Sequence, residues 1–122
     1  MGMKSYENGK KGEALAEDYL SGLGYKIETR NFRSQQGEID LIVWDRDMLV
    51  FVEVKNYSYR SYGSPVGAVR KGKRDSIVHA ARTYLIKKML HSVNCRFDVL
   101  TIFRKSDGQQ AIEHYRNAFF VR

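Results

Sequence analysis

The order of apolar patterns along this chain predicts an α/β fold in which a mixed sheet is flanked by helices: a helix, three strands, a helix, a strand and an edge strand. Three observations carry that expectation. Ile39 to Trp44 and Met48 to Val54 are rich in Ile, Leu, Val and aromatics and are separated by Arg46-Asp47, which reads as an antiparallel hairpin of two central strands. Cys95 to Phe103 carries Phe97, Val99 and Phe103 on one face and Leu100 and Ile102 on the other, so it needs cover on both sides. Helical stripes lie before the hairpin and between it and that strand, and can supply the cover.

The elements follow in order. Residues 1–5 are expected to fray. From about Tyr6, the spacing of Ala14, Leu15, Tyr19, Leu20 and Leu23 draws an apolar stripe that Gly24 can stop in a left-handed cap. Glu13 lies beside the stripe, near Lys10 and Lys11, and on the helix pattern alone reads as a solvated charge. Tyr25 to Thr29 alternates as a first strand, and Asn31 to Gln36 reads as a polar connection. Arg30 and Arg33 there suit contacts to phosphates.

After the hairpin, Tyr57 to Pro65 interleaves Tyr57, Tyr59 and Tyr62 with Arg60. Such a loop suits either stacking on unpaired bases or closure over the core by its tyrosines. Val66 to Ser92 reads as a long helix with a candidate break at Gly72. Ile77, Ala81, Tyr84 and Lys88 form one stripe, with Val78, Leu85 and Met89 beside it. Its start carries Arg70, Lys71, Lys73 and Arg74, either a phosphate track or a solvated face. Ser106-Asp107-Gly108 is a turn, Ala111 to Tyr115 an edge strand, and Ala118 to Val121 a last apolar segment.

A chain of 122 residues with 43% hydrophobic content suits one domain, residues 1–122, with its own core. A net charge of +7 favours polyanionic partners, nucleic acid first. Cys95 is the only cysteine, which excludes an internal disulfide and fits a reducing, cytoplasmic setting. His79, His91 and His114 are scattered, so zinc-ligand spacing is absent. No apolar run reaches the ~18 residues of a membrane span, so no membrane partner is expected. GxxxxGK[ST], GxGxxG and GxSxG are missing too, which argues against ATP use and the common α/β hydrolases.

The hairpin places charge where the pattern demands burial. With Arg46 and Asp47 as the loop, Asp45 pairs with Met48, and counting back sets Asp40 opposite Glu53 and Glu38 opposite Lys55. Asp40, Ile42 and Trp44 then share one face of the first strand, and Phe51, Glu53 and Lys55 one face of the second. Opposed like charges destabilise a sheet, so a cation between Asp40 and Glu53 is expected. Mg²⁺ or Mn²⁺ fits, because hard cations take carboxylate oxygens and complete their shell with water and substrate phosphate. Lys55, one alternation step on, suits activation of water or neutralisation of charge at phosphorus. The alternative, a hairpin with its charges in solvent, leaves Ile42, Trp44, Leu49 and Phe51 on a wet face.

The order Asp40, then Glu53-Val54-Lys55 resembles the D…ExK signature of the PD-(D/E)XK nucleases, which have the restriction-endonuclease-like fold. Gly12-Glu13, Arg30-Asn31 with Arg33, residues 37–42 (GEIDLI) and 51–55 (FVEVK) together resemble the YraN family of small bacterial proteins. Those are predicted endonucleases distantly similar to archaeal Holliday junction resolvases. The resemblance implies Asp40 and Glu53 as metal ligands, Lys55 as the catalytic lysine and Glu13 as a further acidic group. It also favours DNA over RNA as the nucleic acid cut, with branched structures if the likeness to the resolvases extends to substrate, while the sequence itself does not choose between DNA and RNA. Such sequences often carry an arginine within two residues of EVK, where this one has Asn56-Tyr57. A module that binds nucleic acid without cutting is therefore the second expectation, and an assembly factor that binds no metal the third. Symmetric cutting of two strands would favour a homodimer.

Overall fold

The expected order of elements is present in the structure, a computed structural model that describes residues 2–58 and 71–119, with side chains from 12 to 57 and from 72 to 119. Helix α1 (Gly2–Gly22) precedes strands β1 (Lys26–Arg33), β2 (Glu38–Asp45) and β3 (Met48–Ser58). Helix α2 (Lys71–Lys87) leads to β4 (Asn94–Arg104) and β5 (Gln110–Phe119). The five strands form one sheet in the order β1-β2-β3-β4-β5, antiparallel except where β3 and β4 run parallel. A parallel pair needs a long crossover, and α2 lies within it. This is the α/β, restriction-endonuclease-like mixed sheet flanked by helices.

Two cores lie on the two faces. Ile42, Leu49, Phe51, Phe97 and Val99 pack with Ile77, Ala80, Ala81 and Tyr84 of α2. Leu41, Val43, Val50, Val52, Leu100 and Ile102 pack with Ala16 and Leu20 of α1. Alternate residues of the central strands thus serve opposite helices, so these strands are apolar almost throughout. Among the described residues, no helix is long and apolar enough to cross a membrane.

Several boundaries differ from the sequence pattern: β3 runs past Val54 to Ser58, so Tyr57 pairs with Phe103 of β4 rather than opening a loop, and β5 runs past Tyr115 to Phe119. Helix α1 takes in residues 2–5. β1 continues through Arg30, Asn31 and Arg33, because β2 offers partners as far as Arg33↔Glu38 and an edge strand can turn its polar side chains to solvent. Helix α2 ends at Lys87 rather than Ser92. The Leu90 and Met89 amides donate back to the Leu85 and Ile86 carbonyls, a Schellman closure, and Met89 takes φ 56. Leu85 and Leu90 both join the α2-side core, so burying this apolar pair ends the helix. The same closure ends α1, where the left-handed position is Gly24 with φ 91. The expected tyrosine loop beyond Ser58, with Arg60, the helix start from Val66 with Arg70, and Val121 lie outside the described residues, as do the side chains of Lys10, Lys11 and Lys71.

A left-handed conformation costs a non-glycine residue roughly 1 kcal/mol, and the Met89 side chain is 75% exposed, so little burial would be lost on its removal. Met89→Gly is expected to stabilise the protein by about 0.5–1 kcal/mol, the added flexibility of the unfolded chain offsetting part of the gain. A urea midpoint that rises at unchanged slope would bear this out.

Candidate active site

The hairpin begins as the sequence predicts, with Asp45 opposite Met48, and pairing continues back to Leu41↔Val52. It stops one step short of Asp40 and Glu53. Beyond that point β2 pairs only with β1, at Phe32↔Ile39 and Arg33↔Glu38, while β3 pairs on with β4 as far as Ser58↔Arg104. The two central strands therefore part at Asp40 and Glu53. Glu38, expected opposite Lys55, instead lies 3.6 Å from Arg33 across the β1 pair.

Where the strands part, Asp40 uses its side chain as a ladder partner. Its Oδ2 accepts the Val54 amide at 2.8 Å, giving a half-buried N–H the acceptor that pairing between β2 and β3 no longer supplies. Regular alternation ends at the same place. Ile39 and Ile42 both join the core beneath α2, so Asp40 does not simply continue the face of Ile42 and Trp44. Across from it, Asn31 takes φ 50 in the middle of β1, a conformation that asparagine tolerates better than most residues, and its amide donates to Glu13 at 3.3 Å. Asn31 thus connects α1 to the point of divergence.

Glycines let both helices reach this place. A Cβ at Gly37, just before β2, would lie 2.4 Å from the Ser76 carbonyl oxygen of α2. One at Gly12 of α1 would lie 2.4 Å from the Asn56 side chain, immediately after Lys55. The two helices are thus held against the sheet from opposite faces, Gly12 beside Glu13 and Ser76 one turn from Lys73.

The charges brought together are unevenly matched. Glu53 is buried, 5% exposed, with Lys55 Nζ at 3.3 Å and Lys73 Nζ at 3.8 Å from the same oxygen, Oε1. Among the described residues, Asp40 has no such cation. Burial, then the nearby Glu53, push its carboxyl up to about 7, against the stabilising Val54 hydrogen bond, and Glu13 and Glu38 push further in the same direction. Glu13 thus bears on Asp40 through its field, while its carboxylate is hydrogen-bonded to Asn31. Among the described residues, no three His, Cys, Asp or Glu side chains are grouped to enclose a metal ion. The donor set on offer is two carboxylates, Asp40 and Glu53, with Glu13 behind. That suits a hard cation that keeps waters and takes substrate phosphate, and does not suit a closed zinc site.

Other basic candidates sit farther out. Arg30 is tied to Glu17 at 2.7 Å, and Arg33 is exposed beside Glu38. Arg74 is exposed, and Lys73 belongs with Glu53 rather than with a purely solvated face.

One charged cluster had no sequence signal. Asp98, fully buried on β4, accepts hydrogen bonds from Arg96 Nε at 3.0 Å and the Asn117 amide at 2.9 Å, and contacts His114 Nε2 at 2.7 Å. Burial alone would raise the Asp98 carboxyl, but His114, Arg96 and the Asn117 amide outweigh it and hold it below the usual range. Arg96 also reaches Asp45 at 2.8 Å and Tyr25 Oη at 2.9 Å. Tyr25, Asp45 and Arg96 border a cleft of about 700 Å³ at the hairpin turn, which Arg46 and Arg116 also line. It lies about five strand residues, roughly 17 Å, from Glu53.

Comparison with known proteins gives consistent matches along the chain. Residues 12–102 match the model of a family described as "Uncharacterised protein family UPF0102". A UPF0102 protein of Geobacter sulfurreducens is 45% identical over 111 residues, covering 91% of this chain and 87% of the relative. One from Geotalea uraniireducens is 43% identical over 111 residues with the same coverage, and one from Chlorobium limicola 40% identical over 117, covering 92% and 91%. The matched residues 12–102 contain Glu13, Asp40, Glu53 and Lys55.

The raised Asp40 carboxyl makes stability depend on pH with a definite sign. Folding lifts it from an ordinary 3.8 to about 7, so the folded chain keeps a proton that the unfolded chain releases. This stabilising contribution is full below pH 3.8 and is lost as pH rises through 7. In chelator, wild type should therefore lose stability relative to Asp40→Asn between about pH 4 and about pH 8, by on the order of 1–3 kcal/mol. Urea unfolding of both proteins at the two pH values measures the difference, and parallel behaviour would mean that Asp40 is already paired.

Proposed function

We propose that this chain, which belongs to the uncharacterised protein family UPF0102, is a metal-dependent endonuclease that hydrolyses phosphodiester bonds in DNA. The observation that carries this reading is the uncompensated Asp40 carboxyl, pushed up to about 7 beside a buried Glu53 at the point where the central strands part. Two acids brought together, with no described Lys or Arg paired to Asp40, are the arrangement expected of a site for a cation. Asp40 and Glu53 would hold Mg²⁺ or Mn²⁺, with Glu13 contributing negative charge from α1. Bound there, such a cation supplies positive charge to the attacking water and to the scissile phosphate.

The chain's own groups do the rest. Glu53 holds the Lys55 ammonium 3.3 Å from its Oε1, beside the carboxylates, where it can exchange a proton with water or stabilise negative charge developing at phosphorus. Val54, through its amide, fixes the Asp40 carboxylate so that it need not reorganise during the reaction. The net charge of +7 attracts the polyanion, and the exposed Arg33 and Arg74 are suited to phosphates along the strand. Four-way and flap structures are the substrates to try first, beside duplex and single strands, with Mn²⁺ present.

A second reading has one observation in its favour. Asn56 faces Gly12 of α1 where a cation would extend the phosphate contact past Lys55. A module that binds nucleic acid but does not cut would look the same, and the cleavage panel separates the two.

Two outcomes are expected. Lys55→Ala should lower cleavage by about two to four orders of magnitude while DNA affinity stays within a few fold; equal losses would make Lys55 a phosphate contact only. DNA affinity should fall linearly with salt on logarithmic axes, with a slope of roughly −3 to −6, and a flat response would remove the nucleic-acid reading.

A further inference from the structure

Glu53 has more cation than it needs. A single carboxylate oxygen, Oε1, lies within 4.0 Å of two ammonium groups, Lys55 from its own strand and Lys73 from the first turns of α2. The two are not equivalent. Lys55 is the nearer, at 3.3 Å, with its side chain 31% exposed, and reaches Glu53 along one face of β3. Lys73 is the farther, at 3.8 Å and 40% exposed, and comes from a separate element whose position is set by contact with Gly37.

We propose that Lys73 is a stand-in cation for Glu53, displaced when a divalent ion binds and thereby released to hold a nucleic-acid phosphate. This rests on the metal site proposed above and assigns that site a further positioning residue.

The charge balance gives the reason. With no ion bound, a buried carboxylate needs compensation, and two ammonium groups supply it. Once a divalent ion engages Glu53, three cationic groups would crowd one carboxylate, and the longest, most exposed contact is the weakest of them. The Lys73 ammonium then swings from Glu53 on a flexible four-carbon stem. Tethered near the site at the start of α2, it meets the phosphates of whatever strand the ion has engaged. Lys73 therefore opposes metal binding and assists nucleic-acid binding, and the second effect appears only when the first has occurred.

These opposite signs provide the test, made on the intact protein with Lys73→Met, which keeps most of the stem, and with Arg74→Met, which removes the same charge from the neighbouring position. Calorimetric titration with Mn²⁺ at low salt should give Lys73→Met an affinity about 2- to 5-fold tighter than wild type, and Arg74→Met little change. DNA binding is then measured in Ca²⁺, a hard cation that takes the same oxygen ligands, and again in chelator. Lys73→Met should bind DNA about 2- to 5-fold more weakly than wild type in Ca²⁺ and nearly equally in chelator, where the wild-type lysine is engaged by Glu53. Equal Mn²⁺ affinities in wild type and Lys73→Met would overturn the stand-in role while leaving the metal site intact. A DNA deficit of the same size in both conditions would overturn release. Failure of wild type to bind Mn²⁺ at all would overturn this inference and the metal site together, so the two failures are distinguishable.

Discussion

The hydrogen bond from the Val54 amide to Asp40 Oδ2, 2.8 Å long, is the contact around which the rest of the site is arranged. Two central strands that paired to their ends would bring Asp40 and Glu53 into direct opposition, with nothing between like charges. Parting them frees a backbone donor that must still be satisfied, since a buried N–H without a partner costs as much as a lost hydrogen bond. The Asp40 carboxylate supplies the acceptor and is held in place by doing so. A single side chain thus ends the ladder, leaves room between the strands and commits one of its oxygens to the backbone.

The surrounding layers make sense as support for that opening. A sheet that comes apart in the middle loses continuity, and here each half keeps a partner: β2 stays with β1 and β3 with β4. The helices close from opposite faces, each at a glycine where a side chain would collide, α1 over Asn56 and α2 over Gly37. Tyr84 fastens α2 to the outer strand by donating to or accepting from Thr29 at 3.0 Å, and its ring meets Phe32 and Phe51 edge-on. Packing of this kind fixes the backbones from which Lys73, Lys55 and Glu13 reach toward the carboxylates, as a preorganised charged site requires.

Much of this was legible in the sequence, for reasons that also mark where legibility ends. The hairpin turn and its first pairs followed from two apolar runs around Arg46-Asp47, because a two-residue loop leaves one register. The buried central strands and the α1 cap at Gly24 followed from composition. Divergence did not, because counting pairs back from a turn assumes that pairing continues, and the side chain that replaces a backbone acceptor at Asp40 has no periodic signature. β1 extended past Thr29 because pairing with β2 overrode a polar stretch that propensity assigns to a loop. Met89 ended α2 early because the pull of Leu85 and Leu90 into one core outweighed the cost of a left-handed methionine. The Asp98 cluster joins residues from the α1–β1 junction, the hairpin turn, β4 and β5, and such convergence is a property of the sheet order alone.

That cluster also provides the internal standard against which Asp40 is judged. Both aspartates sit in the interior of one small sheet and both are penalised by burial. Asp98 meets the penalty with a guanidinium, an imidazole and a backbone amide, and its carboxyl is held below the ordinary range. Among the described residues Asp40 has one amide, and Glu53, Glu13 and Glu38 all act against its charged form. The chain therefore contains the means to neutralise a buried acid and applies them on the neighbouring strand, where Asp98 pairs with Val52, the residue before Glu53. A fold optimised only for stability would treat the two alike, since each uncompensated buried charge costs several kcal/mol. Leaving Asp40 short of cations, beside a glutamate already given two, is what sets it apart as a group kept for a ligand rather than for the fold.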